Sequence, residues 1–230
     1  MYEAFFGLSN GVERVAKLTL AAHEYATDGS FPDPEALKRK GHNLKRLIRE
    51  VETIAVSRGV SLEDAPSRND GSKAVIAFLT KFATVDRYFN INRWSQGDSA
   101  TIDDPIRRWV DMVRAQAPTR PPRVRQAHID SLAAAQYLDS RVPLAIISGH
   151  SLDGQTHLTT FEGLATQEAE DQRVAVEGML LAIRPLRFLA KVISKLDQAR
   201  YPLPMFSEIF NEWTGTDSYL RRRRQFPLGR

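Results

Sequence analysis

Residues 40–47 read Lys40-Gly41-His42-Asn43-Leu44-Lys45-Arg46-Leu47 and mark the start of a helix. Gly41 ends a short helical piece that precedes them, and asparagine is a residue that caps helix N-termini well. From about residue 43 to residue 58, apolar residues recur every three or four positions, at Leu44, Leu47, Ile48, Val51, Ile54 and Ala55. This period predicts an amphipathic helix with one buried face.

The same helical period extends outward in both directions along the chain. It predicts helices over residues 4–27, 72–88, 123–140, 166–200 and 205–213, a short helical piece that reaches Lys40, and a helix that starts at Pro105 behind an Asp103 or Asp104 cap. Pro185 should kink or split the long helix. Strand and helix patterns do not alternate, so the predicted fold class is all-α, a multi-helix bundle.

The clearest break in the chain is Ala117-Pro118-Thr119-Arg120-Pro121-Pro122. We expect a helical bundle over residues 1–117 and a helical C-terminal portion with a basic tail over residues 118–230, unless the two form one continuous domain. A chain of 230 residues is long enough to bury its own core in either arrangement.

The chain contains no cysteine, which excludes disulfide scaffolds, thiolate zinc sites and cysteine nucleophiles. Any metal would need histidine and carboxylate ligands, and we predict no metal site and no cofactor. A signal-peptide pattern is absent from the sequence, as is any uninterrupted apolar run of about 18 residues. These features predict a soluble, cytoplasmic protein without membrane insertion.

The net charge of +4 comes from the C-terminal tail. Five of the 32 basic residues are the arginines 221, 222, 223, 224 and 230, so the first 220 residues hold 27 basic side chains against 28 acidic ones. Arg221, Arg222, Arg223 and Arg224 are therefore candidate contacts to RNA or DNA phosphates, or to an acidic membrane surface. The alternative is a solvated helix end, whose dipole such cations complement.

A second stretch resembles the nucleophile elbow of a hydrolase, and it reads Gly149-His150-Ser151-Leu152-Asp153. That elbow needs glycine at its last position, because the tight turn leaves no room for a side chain there, and Asp153 occupies it. His150 and His157 would need Asp153 as a third ligand to hold a metal. We expect neither chemistry, and instead a capped loop that is packed by its apolar neighbours.

Three short motifs point to a family. They are Gly11-Val12-Glu13-Arg14-Val15-Ala16-Lys17-Leu18, Gly41-His42-Asn43-Leu44 and Asp86-Arg87-Tyr88. Together they resemble HEPN-like domains, the helical modules of prokaryotic toxins, defence proteins and RNA-processing factors, over about residues 4–115. Asn43 replaces the aspartate that is usual in the family. The resemblance implies a homodimer, a role in RNA or defence biology, and Glu13, Arg14, Lys17, His42, Asn43 and Arg87 as motif residues.

The roles of these motif residues stay open at this point. Glu13, Arg14 and Lys17 form either a buried polar network or pairs on the helix surface, the commoner arrangement. We expect His42 to be a structural turn residue rather than a catalyst.

Catalytic members of the family are metal-independent ribonucleases with an Arg-x(4 to 6)-His pair. Such a histidine moves protons near neutral pH, and the arginine stabilises charge on the phosphorane. Arg123 and His128 have this spacing, although Val124 follows the arginine where the family usually has a polar residue. They are our candidate catalytic residues.

Three functions are compatible with these patterns. The one we expect is a HEPN-like module that acts through interactions, with a protein partner or with RNA through the basic tail. The first alternative is a ribonuclease toxin that uses Arg123 and His128. The second is an unrelated helical scaffold protein with a functional apolar surface at Phe206, Ile209, Phe210 and Trp213.

Overall fold

The structure, a computed structural model, describes residues 1–89, 104–116, 126–142, 147–151, 154, 156–198, 208 and 210–222. Its elements are almost all helices, which confirms the predicted all-α fold class. The chain has two compact units, one of residues 1–102 and 180–230 and one of residues 103–179. The predicted boundary between residues 117 and 118 lies outside the described residues and stays a prediction.

The described residues contain eight α-helices. They are α1 (Tyr2–Asp28), α2 (Pro34–Arg39), α3 (Leu44–Ser57), α4 (Asp70–Thr84), α5 (Pro105–Gln116), α6 (Gln126–Arg141), α7 (Phe161–Asp197) and α8 (Asp217–Arg222). Short 3-10 helices cover Asp86–Tyr88 and Asn211–Thr214. Two strands, β1 (Gly149–His150) and β2 (His157–Leu158), pair antiparallel with Gly149 opposite Leu158. Of the helix predicted over residues 205–213, the structure describes residues 208 and 210–213, and the last three of these belong to the 3-10 helix Asn211–Thr214.

Helices α1, α3 and α4 pack on one another and form the core of the first unit. Each buries the apolar stripe that its period predicts: Phe5, Val12, Ala16 and Leu20 on α1, Leu44, Leu47, Ile48 and Val51 on α3, and Val75, Ile76, Leu79 and Phe82 on α4. Complete burial of one such large side chain contributes about 1.5–3 kcal/mol. This burial, rather than helix propensity, holds the three helices together.

Side-chain caps and one glycine fix where these helices begin and end. Asn43 Oδ1 accepts a hydrogen bond from the backbone N–H of Arg46 at 3.1 Å, so the predicted cap of α3 is confirmed. Asn69 Oδ1 caps α4 in the same way. Helix α1 ends at Gly29, whose φ of 82° lies in the left-handed region that favours glycine.

Helix α7 begins at Phe161, and the predicted start near Thr166 is wrong. The carboxylate of Asp139 on α6 accepts hydrogen bonds from the backbone N–H groups of Phe161 and Glu162, each at 2.9 Å. These bonds satisfy two of the donors that a helix N-terminus leaves unpaired. Because the cap comes from another helix, the local apolar period does not reveal it.

Helix α7 also continues through Pro185, so Pro185 does not split it, and a kink at Pro185 stays a prediction. Proline removes one backbone hydrogen bond from the helix interior. The residues that follow it, Phe188 and Leu189, are completely buried, and their packing holds the helix on both sides of the proline. Tertiary packing therefore outweighs the local preference of the proline.

An ion network built on the buried Asp64–Arg187 pair joins three distant parts of the first unit. The Asp64 carboxylate lies 2.9 Å from Lys191 Nζ and 3.5 Å from Arg187 Nη1. Arg187 Nη2 also donates to Asp217 at 2.6 Å, and Arg184 Nη2 donates to the same carboxylate at 2.8 Å. Burial raises the pKa of Asp217, but the hydrogen bonds from the two arginines outweigh burial and hold that pKa below its ordinary value. The network thus anchors α8 to α7.

We expect Gly71→Ala to destabilise the protein. An added Cβ at residue 71 would lie 2.7 Å from Leu181 Cδ2 and 2.9 Å from Arg184 Nη1. Because Leu181 is buried, it cannot move aside without disturbing its neighbours. Overpacking of this kind costs about 1–3 kcal/mol in the free energy of unfolding, measured by urea denaturation.

Gly11→Ala is the matched control, since α1 has open space within 4 Å of that position. It should stabilise the protein by up to about 1 kcal/mol, because alanine loses less backbone entropy in a helix. Equal stability of the two alanine variants would contradict the close packing at Gly71.

Candidate functional site

Glu13 and His42 meet where α1 passes the turn that precedes α3. The His42 Nδ1 atom lies 2.9 Å from Glu13 Oε2 and 3.1 Å from Glu13 Oε1. Lys17 Nζ donates to the same carboxylate at 2.9 Å from one helical turn further along α1. The Glu13 side chain is only 13% exposed, whereas that of His42 is 68% exposed. A shielded carboxylate therefore holds an imidazole that faces solvent.

The backbone on each side fixes the position of His42. Gly41 has a φ of 68°, which most other residues adopt only with strain, and the space around it is open. Glycine is thus needed at position 41 because of the backbone conformation and not because a neighbour packs closely against it. Asn43 follows as the cap of α3. The imidazole stands between a left-handed turn and a capped helix start, both of which restrict its movement.

The charge state of Glu13 follows from its neighbours. Burial raises the pKa of Glu13, but hydrogen bonds and charge from Lys17 and His42 outweigh burial and hold that pKa below its ordinary value. The carboxylate is therefore ionised at neutral pH and can only accept hydrogen bonds. His42 Nδ1 must then carry a proton, and Nε2 of the neutral ring is left as an acceptor. That nitrogen has no hydrogen-bond partner within the part of the chain that the structure describes.

The chain around His42 is basic. Residues 36–49 contain six lysines and arginines and no acidic residue. Lys40 and Arg46 both pair with Glu50, at 2.6 Å and 3.2 Å. Lys38 pairs with Glu35. Four further exposed cations of α1, α2 and α3 have no ion pair among the described residues, and we call them the His42 basic surface: Arg14, Arg39, Lys45 and Arg49. These four positive charges are available to an anionic ligand.

The structure brings together three of the six predicted motif residues. Glu13 and Lys17 form a partly shielded pair, and His42 joins them from 29 residues away. Arg14 belongs to the basic surface, and Asn43 acts as a cap. Arg87 stands apart in the 3-10 helix, where its guanidinium lies 5.2 Å from the centre of the Tyr88 ring. The Glu13–His42 contact is the feature that sequence reasoning missed.

The other predicted site residues are only partly described. Arg123 lies outside the described residues, so its pairing with His128 stays a prediction; His128 is partly exposed near the start of α6. Arg221 and Arg222 end α8, and Arg223 and Arg224 lie outside the described residues. Of the predicted apolar surface, Phe206 and Ile209 are also outside, Phe210 is half-buried, and Trp213 is exposed.

The Ser151 loop is a capped turn beside the strand pair. Ser151 is buried, and its Oγ accepts a hydrogen bond from the backbone N–H of Thr156 at 2.9 Å. The rings of His150 and His157 are tilted by 52° to each other with their centres 5.0 Å apart, while Asp153 lies outside the described residues. Among the residues that the structure does describe, no three His, Asp or Glu side chains form a group suited to a metal ion.

Glu13→Gln should make the free energy of unfolding vary less with pH in the acid range. A carboxyl group with a depressed pKa contributes stability above its unfolded-state pKa and loses that contribution as the pH falls through the folded-state pKa. We therefore expect the variant to be less stable than the wild type by about 1–2 kcal/mol at neutral pH. The difference should narrow as the pH falls below the ordinary glutamate value of 4.5.

Urea denaturation across this pH range measures both quantities. Glu35→Gln is the control, because the Glu35–Lys38 pair is exposed and contributes little. A stability difference between wild type and Glu13→Gln that stays constant with pH would show that the Glu13 charge is not stabilised in the fold.

Comparison with known proteins adds no relative from which a role could be transferred. No protein-family model matches the chain, and neither a curated protein nor a solved structure matches it. Within the described residues, no helix is both long enough and apolar enough to cross a membrane. The function is therefore argued from the dyad and its charges.

Proposed function

We propose that the protein is a HEPN-like helical module of prokaryotic RNA or defence biology, and that it acts by binding RNA at the His42 basic surface. The observation that supports this most is the Glu13–His42 dyad, where a shielded carboxylate holds an exposed imidazole among cations. Three of the six motif residues of the HEPN-like resemblance, Glu13, Lys17 and His42, are in contact at this site. The resemblance and the geometry thus point to the same surface.

The chemistry of the surface suits a phosphate backbone. Lysine and arginine side chains bind phosphates mainly by charge and release the counterions that surround a nucleic acid. Arg14, Arg39, Lys45 and Arg49 have no competing carboxylate within the described residues, whereas Lys40 and Arg46 share Glu50. The first four cations are accordingly the ones that we assign to RNA. The arginines of the tail would also attract the RNA backbone, but at no fixed position.

The expected ligand is RNA of no fixed sequence. Phosphate contacts position a nucleic acid but carry no sequence information. An imidazole whose Nδ1 is held by a carboxylate offers Nε2 to a ribose hydroxyl, a group that DNA lacks. We therefore expect RNA to bind more tightly than DNA of the same sequence.

The dyad also favours a second function, metal-independent RNA cleavage. An ionised carboxylate that orients an imidazole is the arrangement by which enzymes prepare a general base. His42 Nε2 would remove the proton of a 2′-hydroxyl, and that oxygen would then attack the adjacent phosphorus and expel the 5′-oxygen, which takes a proton from water. Cleavage in EDTA that His42→Gln abolishes and His128→Gln retains would support this function. The reverse result would support Arg123 and His128 instead.

Charge reversal on the basic surface should weaken RNA binding. We expect the triple variant Arg39→Glu, Lys45→Glu, Arg49→Glu to bind a labelled RNA more weakly in fluorescence anisotropy. Each phosphate contact contributes about 0.7 to the slope of log K against log salt for a single strand, so loss of three contacts should lower that slope by about 2. The three side chains have no partner among the described residues, so folding should be unaffected.

The control carries the same change in net charge at other exposed positions of the first unit: Arg68→Glu, Lys73→Glu and Lys195→Glu. This control variant should keep most of the wild-type affinity for RNA, and its slope of log K against log salt should be close to that of the wild type. Equal losses in the two triple variants would mean that only net charge attracts RNA, and the assigned surface would be wrong. Absence of RNA binding by the folded wild type would reject the proposed function.

A further inference from the structure

Helix α1 carries one aromatic side chain that has no ring partner. Its other phenylalanine and tyrosine residues, Tyr2, Phe5 and Tyr25, each pack against a further aromatic ring. Phe6 contacts no other ring among the residues that the structure describes, and it is 49% exposed. A single exposed apolar residue is ordinary on a protein surface. What distinguishes Phe6 is its position relative to the dyad.

Phe6 lies on the face of α1 that carries Glu13. The two residues are seven positions apart, which is close to two full turns, so their side chains leave the helix in nearly the same direction. At about 1.5 Å per residue, they are separated by roughly 10 Å along the helix axis. Since Glu13 holds His42, the imidazole stands about two helical turns from an exposed aromatic ring.

The cations of α3 lie on the other side of the dyad from Phe6. The dyad places the start of α3 beside the middle of α1, and a hydrogen bond from Arg58 Nη2 to Thr27 Oγ1 places its end beside the last turn of α1. The two helices therefore run in the same direction, and Lys45 and Arg49 follow the dyad away from Phe6. A nucleic-acid strand laid along α1 would meet these cations, then the imidazole, and then the ring.

The surroundings of Phe6 favour a base over a phosphate. Residues 1–12 contain one acidic residue, Glu3, and no lysine, arginine or histidine, so this part of α1 offers no cation to a phosphate. An added Cβ at Gly7 would meet no atom of the described residues within 4 Å, which leaves the surface beside the ring open. Every nucleobase has a flat apolar face that stacks on an aromatic side chain. Phe6 can therefore contact any base that reaches it.

We propose that Phe6 is a base-stacking residue of the RNA site, against which an unpaired base lies a few nucleotides from the ribose at His42. This inference rests on the proposed RNA binding and adds to it the class of RNA that binds. The internal bases of a duplex are stacked on one another and cannot reach the ring, so the site selects unpaired strands. Because stacking accepts every base, it adds affinity without a sequence preference.

Fluorescence anisotropy tests the stacking role with the full chain and two labelled RNAs, an unstructured strand and the same strand annealed to its complement. We expect Phe6→Leu to raise the Kd for the single strand about tenfold, because leucine has no ring on which a base stacks. The slope of log K against log salt should stay at the wild-type value, since no phosphate contact is lost. The Kd for the duplex should not change.

Two further variants separate stacking from a folding defect. Phe6→Trp keeps an aromatic surface at the same position and should bind the single strand at least as tightly as the wild type. Tyr137→Leu removes a ring of similar exposure from α6, which belongs to the other unit, and should leave the Kd for both RNAs unchanged.

The outcomes distinguish the stacking role from the RNA function on which it rests. A wild-type Kd of Phe6→Leu for the single strand would overturn the stacking role and leave the basic surface as the RNA site. Equal losses for single strand and duplex, or a loss in Phe6→Trp as large as in Phe6→Leu, would also overturn it. Unchanged RNA affinity together with lost binding of a protein partner would assign Phe6 to a protein interface. A folded wild type that binds neither RNA would reject both proposals.

Discussion

The Glu13 carboxylate constrains the first unit, because a charged group shielded from water is costly unless hydrogen-bond donors surround it. One donor, Lys17, comes from the same helix and is available whenever α1 forms. The second donor is His42, which belongs to the turn that starts α3. Formation of the pair therefore requires α1, the Gly41 turn and α3 to be in their final arrangement. The same requirement leaves His42 at the surface with its ring orientation fixed.

The helices of the first unit were predictable because their causes are local. Apolar spacing predicted α1, α3 and α4, and the Asn43 cap that starts α3 is visible in the sequence. The early start of α7 was not predictable, since its cap is the Asp139 carboxylate on another helix. The unbroken course of α7 through Pro185 was equally hidden, because burial of neighbouring residues decides it. Interactions between distant residues account for the early start of α7 and for its continuation through Pro185.

The candidate site shows the same division between local and distant causes. Glu13, Lys17 and His42 were selected one by one from the sequence, which left open whether the charges on α1 form a buried network or pairs on the helix surface. Sequence reasoning assigned His42 to a structural turn, since no local pattern relates it to a carboxylate 29 residues earlier. The ion network of Arg187 is a second case, because Asp64 lies 123 residues away along the chain. Charged residues can be read directly from a sequence, but the fold decides which of them pair.

A nitrogen-15 NMR titration of the labelled protein with RNA tests the central claim most directly, because it reports on the imidazole itself. We predict that free His42 carries its proton on Nδ1, and that added RNA shifts its ring nitrogens together with the amides of residues 39–49 and 13–17. Shifts confined to α6 or to the C-terminal arginines would contradict the account. A His42 ring protonated on Nε2 alone in the free protein would contradict the dyad on which the account depends.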